Sequence, residues 1–268
     1  MTLFVEQGGH GPDLLVLLHG LGATGAVWQP LLASADRHWR GRWLAVDLPG
    51  HGGSAPQTTY EIGDIAASVA RAISFRAAAA GRIVVLGHSL GGAIGLALAS
   101  GERAVQPERV FGVGTKVAWS EEDLQRLATI AAQPRRRFAT EQEAWERYLK
   151  VSGLAGQVDA HSAVVSRGVV RHAADRGASG TASQVEGWCL AMDPGANGVG
   201  RPPFAQLMAS ARCPVHLARG REDPLVTLDQ LRSLDPTAVD LPARGHNVMV
   251  EAPGVLWEWL AAHGAGSL

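Results

Sequence analysis

Short, unbroken apolar runs alternate with longer stretches of helical periodicity along most of the chain. Leu14–Leu18 holds no polar residue and stops at His19-Gly20, and Trp43–Asp47 is halted by Pro49 and a run of glycines. Arg82–Gly87, Arg109–Val113 and Pro214–Arg219 repeat the pattern, and Thr237–Leu241 is a weaker version of it. Apolar character without alternation predicts strands buried on both faces, the mark of a parallel sheet covered by helices. Leu3–Gln7 predicts an antiparallel edge strand. Helices are predicted over Ile62–Ala79, Leu90–Ser100, Leu228–Leu234 and Gly254–Ala262, which fill the gaps as crossover connections.

The interval 116–204 breaks this rhythm. It offers no clear strand, but Ser120 with Asp123 and Thr140 with Glu143 have the spacing of capping boxes, so helices are predicted to begin there. Two more helices are expected near Val158–Ala174 and Ala182–Met192. The breaker-rich loop Asp193–Pro203 would return the chain to the sheet. The fold class is therefore α/β, with a mostly parallel central sheet flanked by helices. Residues 1–115 and 205–268 would form the core, and 116–204 a helical cap inserted between two of its strands.

Composition narrows the function classes. With 268 residues and 46% hydrophobic content the chain can bury a large core. Its 24 basic and 25 acidic residues leave a formal charge of -1, which argues against a nucleic-acid surface. Cys189 and Cys213 make no disulfide framework and no zinc-binding pair, so reduced thiols, a cytoplasmic setting and no metal are expected. Met1–Glu6 lacks the basic start and apolar run of a leader peptide, and no stretch is long enough to span a bilayer. No loop that cradles phosphate is present, and no cofactor is expected.

Chemistry concentrates in Gly87-His88-Ser89-Leu90-Gly91-Gly92, which follows one buried strand and opens a helix. A sharp turn there requires small neighbours and lifts the serine hydroxyl to a helix N-terminus. A serine needs a base, and the base needs a carboxylate to orient it. Of ten histidines, His246 lies between the last strand and the last helix, a loop that returns to the carboxyl edge of a doubly wound sheet. His19 reads as a structural turn residue, His216 as a core histidine, and His51 among those with surface or packing roles. Asp223 follows the preceding strand and is the candidate acid, with its neighbour Glu222 as competitor.

His19-Gly20-Leu21-Gly22, Asp47–Ser54, Gly87–Gly92, Gly220–Asp223 and Gly245-His246, taken together and in this order, resemble the α/β-hydrolase superfamily, and more narrowly its capped, esterase-like serine hydrolases. The resemblance runs from Leu14 to His263. It implies a Ser89, Asp223, His246 triad and an oxyanion hole made by the backbone N–H groups of Leu21 and Leu90. It also implies a carboxylesterase-type reaction on small-molecule esters and an N-terminal antiparallel strand pair, of which one strand is legible. A serine at position 89 argues against epoxide hydrolases and dehalogenases, which carry aspartate there. C–C bond hydrolysis, perhydrolysis and a slow, ligand-binding homologue remain as alternatives. Trp28, Trp119, Phe138, Trp145, Trp188 and Met192 are candidates to line an apolar pocket over Ser89, each with a packing role as the competing reading. Arg135-Arg136-Arg137 reads as a solvated helix end or loop, with recognition of an acidic substrate as the alternative.

Overall fold

The computed structural model describes residues 2–100, 104–172, 186–242 and 245–265. Seven strands form one sheet: β1 (Val5–Gly9), β2 (Leu14–Leu18), β3 (Arg42–Val46), β4 (Ile83–His88), β5 (Arg109–Val113), β8 (Val215–Gly220) and β9 (Val239–Leu241). Two shorter strands, β6 (Val169–His172) and β7 (Gly187–Leu190), pair with each other. Across the large sheet the order is β1-β3-β2-β4-β5-β8-β9, and every neighbouring pair is parallel except β1 with β3.

The unbroken apolar runs have the burial they imply. All residues of β2 and β4 are buried. Leu14, Val16 and Leu18 join one core cluster and Leu15 and Leu17 the other, so successive side chains of one strand feed opposite faces of the sheet. One face is covered by α1 (Ile62–Ala78) and α2 (Leu90–Ala99), and the other by the last long helix, Pro253–Ala262, whose Trp257 shares a buried cluster with Trp28. Each fully buried Leu contributes about 1.5–3 kcal/mol.

The chain passes from β2 to β3 on one side and then crosses to β4 on the other. The direction of winding therefore reverses between β2 and β4, where an open α/β sheet leaves a crevice at its carboxyl edge. The loops carrying His19-Gly20-Leu21 and Ser89 flank that crevice.

Between β5 and β8 lie α3 (Glu121–Ala131) and α4 (Glu141–Ser152), each opened by a full capping box, at Ser120/Asp123 and Thr140/Glu143. The helices expected over Val158–Ala174 and Ala182–Met192 are replaced within the described residues by the short helix Ala163–Ser166 and by the β6–β7 pair, while 173–185 lie outside the described residues. Val169 and Val170 are β-branched and Trp188 is aromatic, side chains that suit a pleated ribbon. Pairing at Phe138 lengthens the ribbon, with Trp188 N–H to Phe138 O at 2.9 Å and the reciprocal bond at 2.8 Å. The antiparallel edge of the large sheet is the single strand β1, not a pair, among the described residues. α5 (Phe204–Ser210) leads into β8, and α6 (Pro253–Ala262) follows β9.

Candidate active site

Ser89 sits between β4 and α2 with φ 52° and ψ -113°, the one non-glycine residue at positive φ among the described residues. Such a conformation costs on the order of 1–3 kcal/mol and persists only where the surroundings enforce it. They do so by close packing. A Cβ on Gly87 would run into the Gly91 carbonyl, and one on Gly91 into the Leu18 carbonyl. The Ser89 N–H is tied to the Val113 carbonyl at 3.0 Å, which locks the turn to the end of β5. The serine side chain faces a cavity of 540 Å³ over the N-terminus of α2.

His246 lines the same cavity. Its Nδ1 lies 2.8 Å from Asp223 Oδ2, and Asp223 is buried. Because a carboxylate accepts, the proton sits on Nδ1, and Nε2 keeps its lone pair for a base's work. The other carboxylate oxygen, Oδ1, accepts the Leu225 N–H at 2.8 Å, which fixes the plane of the group. Glu222, the sequence competitor, is exposed. Gly114 gives the imidazole room: a Cβ there would lie 3.1 Å from Cε1 of His246. On its other flank the ring meets His88, with centroids 4.6 Å apart, and His88 Nε2–H donates to the His246 carbonyl at 3.0 Å. Burial, first, and the neighbouring His246 hold the His88 imidazole well below its ordinary value, so it stays neutral.

The turn after β2 abuts this pair. A Cβ on Gly20 would stand 2.9 Å from His88 Nδ1 and 3.1 Å from Ser89 Cβ. Ala23 N–H is used by the Gly20 carbonyl at 3.2 Å and Gly22 N–H by His51 Nε2 at 3.2 Å. The Leu21 and Leu90 amides have no acceptor among the described residues, and both residues line the cavity. Two free N–H groups flanking a serine hydroxyl suit a developing oxyanion.

Sequence reasoning passed over the residue that holds this turn. His51 is 1% exposed, which leaves the packing role of its two readings and excludes the surface one. Its Nδ1–H donates to the Pro49 carbonyl at 3.0 Å, leaving Nε2 to accept from Gly22. His19 is arranged the same way, with Nδ1–H to the Gly20 carbonyl at 2.8 Å and Nε2 accepting the Leu48 N–H at 2.9 Å. Desolvation is the main reason that His19 falls to about 4 and His51 to about 3. Asp47, fully buried, accepts from Gly25 at 2.6 Å and from Gly53 at 2.9 Å, and so ties together the loops that follow β2 and β3. The available signal was positional: two histidines just past the ends of adjacent strands, each in a glycine turn.

The aromatic candidates divide. Trp119 lines the cavity over Ser89, its indole N–H donating to the Lys116 carbonyl at 2.7 Å. Phe138 and Met192 line a neighbouring cavity of 500 Å³. Trp28 is fully buried in the core beneath α6, and Trp145 and Trp188 pack against that same core; none of these three lines the cavity over Ser89. A large aromatic suits a core as well as it suits a pocket, and residue type alone does not separate the two.

Fold and site together define a doubly wound α/β enzyme scaffold with a serine, a histidine and a buried aspartate at the carboxyl edge of its sheet. Residues 15–259 match the model of the alpha/beta hydrolase family, and the chain belongs to that family. It is similar to the pimeloyl-[acyl-carrier protein] methyl ester esterase of Aeromonas hydrophila, 44% identical over 118 residues that make up 43% of this chain and 41% of the relative. Similarity to the protein of that name from Nitrosomonas europaea is 33% over 169 residues, 58% of this chain and 60% of the relative. The matches thus span about half the length of these curated relatives. Among solved structures, a thermophilic esterase from Thermogutta terrifontis shares the fold, with a TM-score of 0.69 at 18% identity over 97% of this chain and 92% of that one. No helix among the described residues is long and apolar enough to cross a membrane.

Proposed function

We propose that the chain is a serine hydrolase that cleaves carboxylic esters of small to medium apolar substrates through an acyl-enzyme. The observation that carries this reading is the buried Asp223–His246 contact at 2.8 Å, opening on the cavity that also holds the strained Ser89. Ser89 Oγ attacks the ester carbonyl as His246 Nε2 takes its proton. The carbonyl electron pair moves onto oxygen, where the Leu21 and Leu90 N–H groups receive it. Collapse of this intermediate breaks the acyl C–O bond, and the imidazolium returns the proton to the departing alcohol. Water then repeats the sequence, releasing the acid and restoring Ser89. Asp223 keeps the tautomer and stabilises the imidazolium. Each amide donor is worth about 3 kcal/mol of barrier.

Esterase relatives support ester cleavage over the C–C and peracid chemistries that the triad also permits. The free thiols of Cys189 and Cys213 fit a reducing, cytoplasmic compartment. Residues 116–204 are proposed to act as the cap that sets substrate size, since α3, α4 and the 194–199 region supply Arg126, Lys150 and Val199 to the cavity wall.

A chain-length series of p-nitrophenyl alkanoates tests the reading, run beside dienone acids. Wild type should favour the esters, and Ser89→Ala should lose at least about a thousandfold in kcat/KM. Equal rates in Ser89→Ala, or turnover of dienone acids alone, would contradict it.

A further inference from the structure

The chain is balanced in charge, with 24 basic against 25 acidic residues, yet the lining of the cavity over Ser89 and of its neighbour is not. The cavity over Ser89 is lined by Lys116, Arg126 and Lys150, and by no Asp or Glu among the described residues. Its neighbour is lined by Arg135, Arg136 and Arg147, again with no carboxylate. Lys116 and Lys150 are the only lysines in the chain, and both line the cavity over Ser89.

These cations differ in how they are matched. Lys116 and Arg126 share Asp123, at 2.8 and 3.3 Å, and the bond from Lys116 holds that carboxyl below its usual range. Lys150, Arg135 and Arg147 have no carboxylate partner among the described residues, and Arg136 has only the face of Phe138, 5.0 Å away. Glu251, the carboxylate behind the cavity rim, is already committed to the N–H groups of Gly245 and Asn247. Four cations without counter-charges therefore surround two adjoining cavities.

The wall between the cavities is apolar. Val151 lines both, and its Cγ1 lies 3.0 Å from where a Gly22 Cβ would stand, beside the turn carrying the Leu21 amide. Met192 and Ile130 continue the apolar lining of the second cavity, where Ile130 is exposed. A ligand that satisfies this surface has an apolar segment running past Val151 and a negative charge at its end.

We infer that the esters cleaved at Ser89 carry an anionic terminal group, a carboxylate or phosphate, on an apolar chain. Lys150 receives it when the chain is short, and Arg135, Arg136 and Arg147 receive it when the chain is long enough to pass Val151. This assignment rests on the hydrolase reading of Ser89 and adds the substrate class to it. The cavity volumes, 540 and 500 Å³, suit a small molecule.

The test uses monomethyl esters of straight-chain dicarboxylic acids of roughly four to ten carbons, their dimethyl diesters as neutral isosteres, and ω-phosphono methyl esters to separate carboxylate from phosphate. The quantity read is the ratio of kcat/KM for the charged ester to that for its neutral counterpart. Wild type should favour the charged member, more weakly at high ionic strength. Lys150→Gln should lower the ratio about fivefold for short chains. The combined Arg135→Gln, Arg136→Gln, Arg147→Gln variant should lower it about tenfold or more for long chains and leave short ones to Lys150.

Titration calorimetry of the free dicarboxylates into Ser89→Ala gives a second reading that needs no turnover. Charge-dependent binding without hydrolysis would sink the catalytic role of Ser89 and uphold the anion seats. Hydrolysis with a charge ratio near one, unmoved by the variants, would overturn the anion seats and leave Ser89 standing. A charge preference seen only when the acyl group rides on an acidic protein would overturn them as well.

Discussion

Ser89 is held at φ 52° by backbone that has no room to relax, and the same packing aims its hydroxyl at the cavity. Function at this scale depends on protons being where the geometry assigns them. Asp223 accepts a hydrogen bond from the Nδ1–H of His246, so Asp223→Asn presents a donor to a donor and favours the wrong tautomer. That variant should keep its fold and lose about 10³–10⁴ in kcat, read on a p-nitrophenyl ester; a loss under tenfold would remove Asp223 from the role. The placement of Ser89, Asp223 and His246 at one edge of the sheet was legible because each stands where a strand ends in a glycine turn. His51 was not, since nothing in the residue itself shows that it is buried with Nε2 turned to the Gly22 N–H. Trp28, Trp145 and Trp188 illustrate the converse: an aromatic inside an insertion or beside a turn carries no mark of which surface it faces, and packing claimed all three.

At the scale of elements, the parallel strands were readable because burial on both faces leaves no polar position to confuse the pattern, as in Leu14–Leu18 and Ile83–Leu86. β6 and β7 were not readable. Four residues give two periods of alternation, too few to displace a helical reading, and their pairing joins residues far apart in the chain. The ribbon also stitches the insertion to the core, since Gly52 N–H donates to the Ala191 carbonyl at 2.7 Å beside His51. Glycine content in α2 has an element-scale consequence. A Cβ on Gly91 meets the Leu18 and His19 carbonyls, whereas one on Gly254 in α6 meets nothing within 4 Å. Gly91→Ala should therefore lower stability by about 1–3 kcal/mol, a fall in Tm of roughly 3–10 °C. Gly254→Ala should raise it by up to about 1 kcal/mol. Thermal melts giving the two variants the same sign would contradict this packing.

For the whole molecule, the buried histidines set an acid limit. His19 at about 4 and His51 at about 3 are neutral in the fold, while the unfolded chain takes up protons near 6.5. Depressed values in the folded state mean that their contribution to stability is complete above about pH 6.5 and is lost as pH falls toward the folded values. The loss approaches about 1.4 kcal/mol per pH unit for each. Between pH 7.0 and 5.5, above the range where ordinary carboxylates titrate, denaturant unfolding should show a drop of about 1–3 kcal/mol. Equal stability at the two pH values would mean that these rings are protonated, or solvated, in the fold. The turn that positions the Leu21 amide depends on His51 as an acceptor, so acid would weaken the site along with the fold.

The convergence of Ser89 and His246 on one cavity, with Asp223 behind, is tested most directly by covalent labelling. A fluorophosphonate probe with peptide mapping should mark Ser89 alone, at close to one equivalent, and labelling should vanish in Ser89→Ala and fall at least about a hundredfold in rate in His246→Ala. Undiminished labelling in His246→Ala, or a modified residue other than Ser89, would contradict the account.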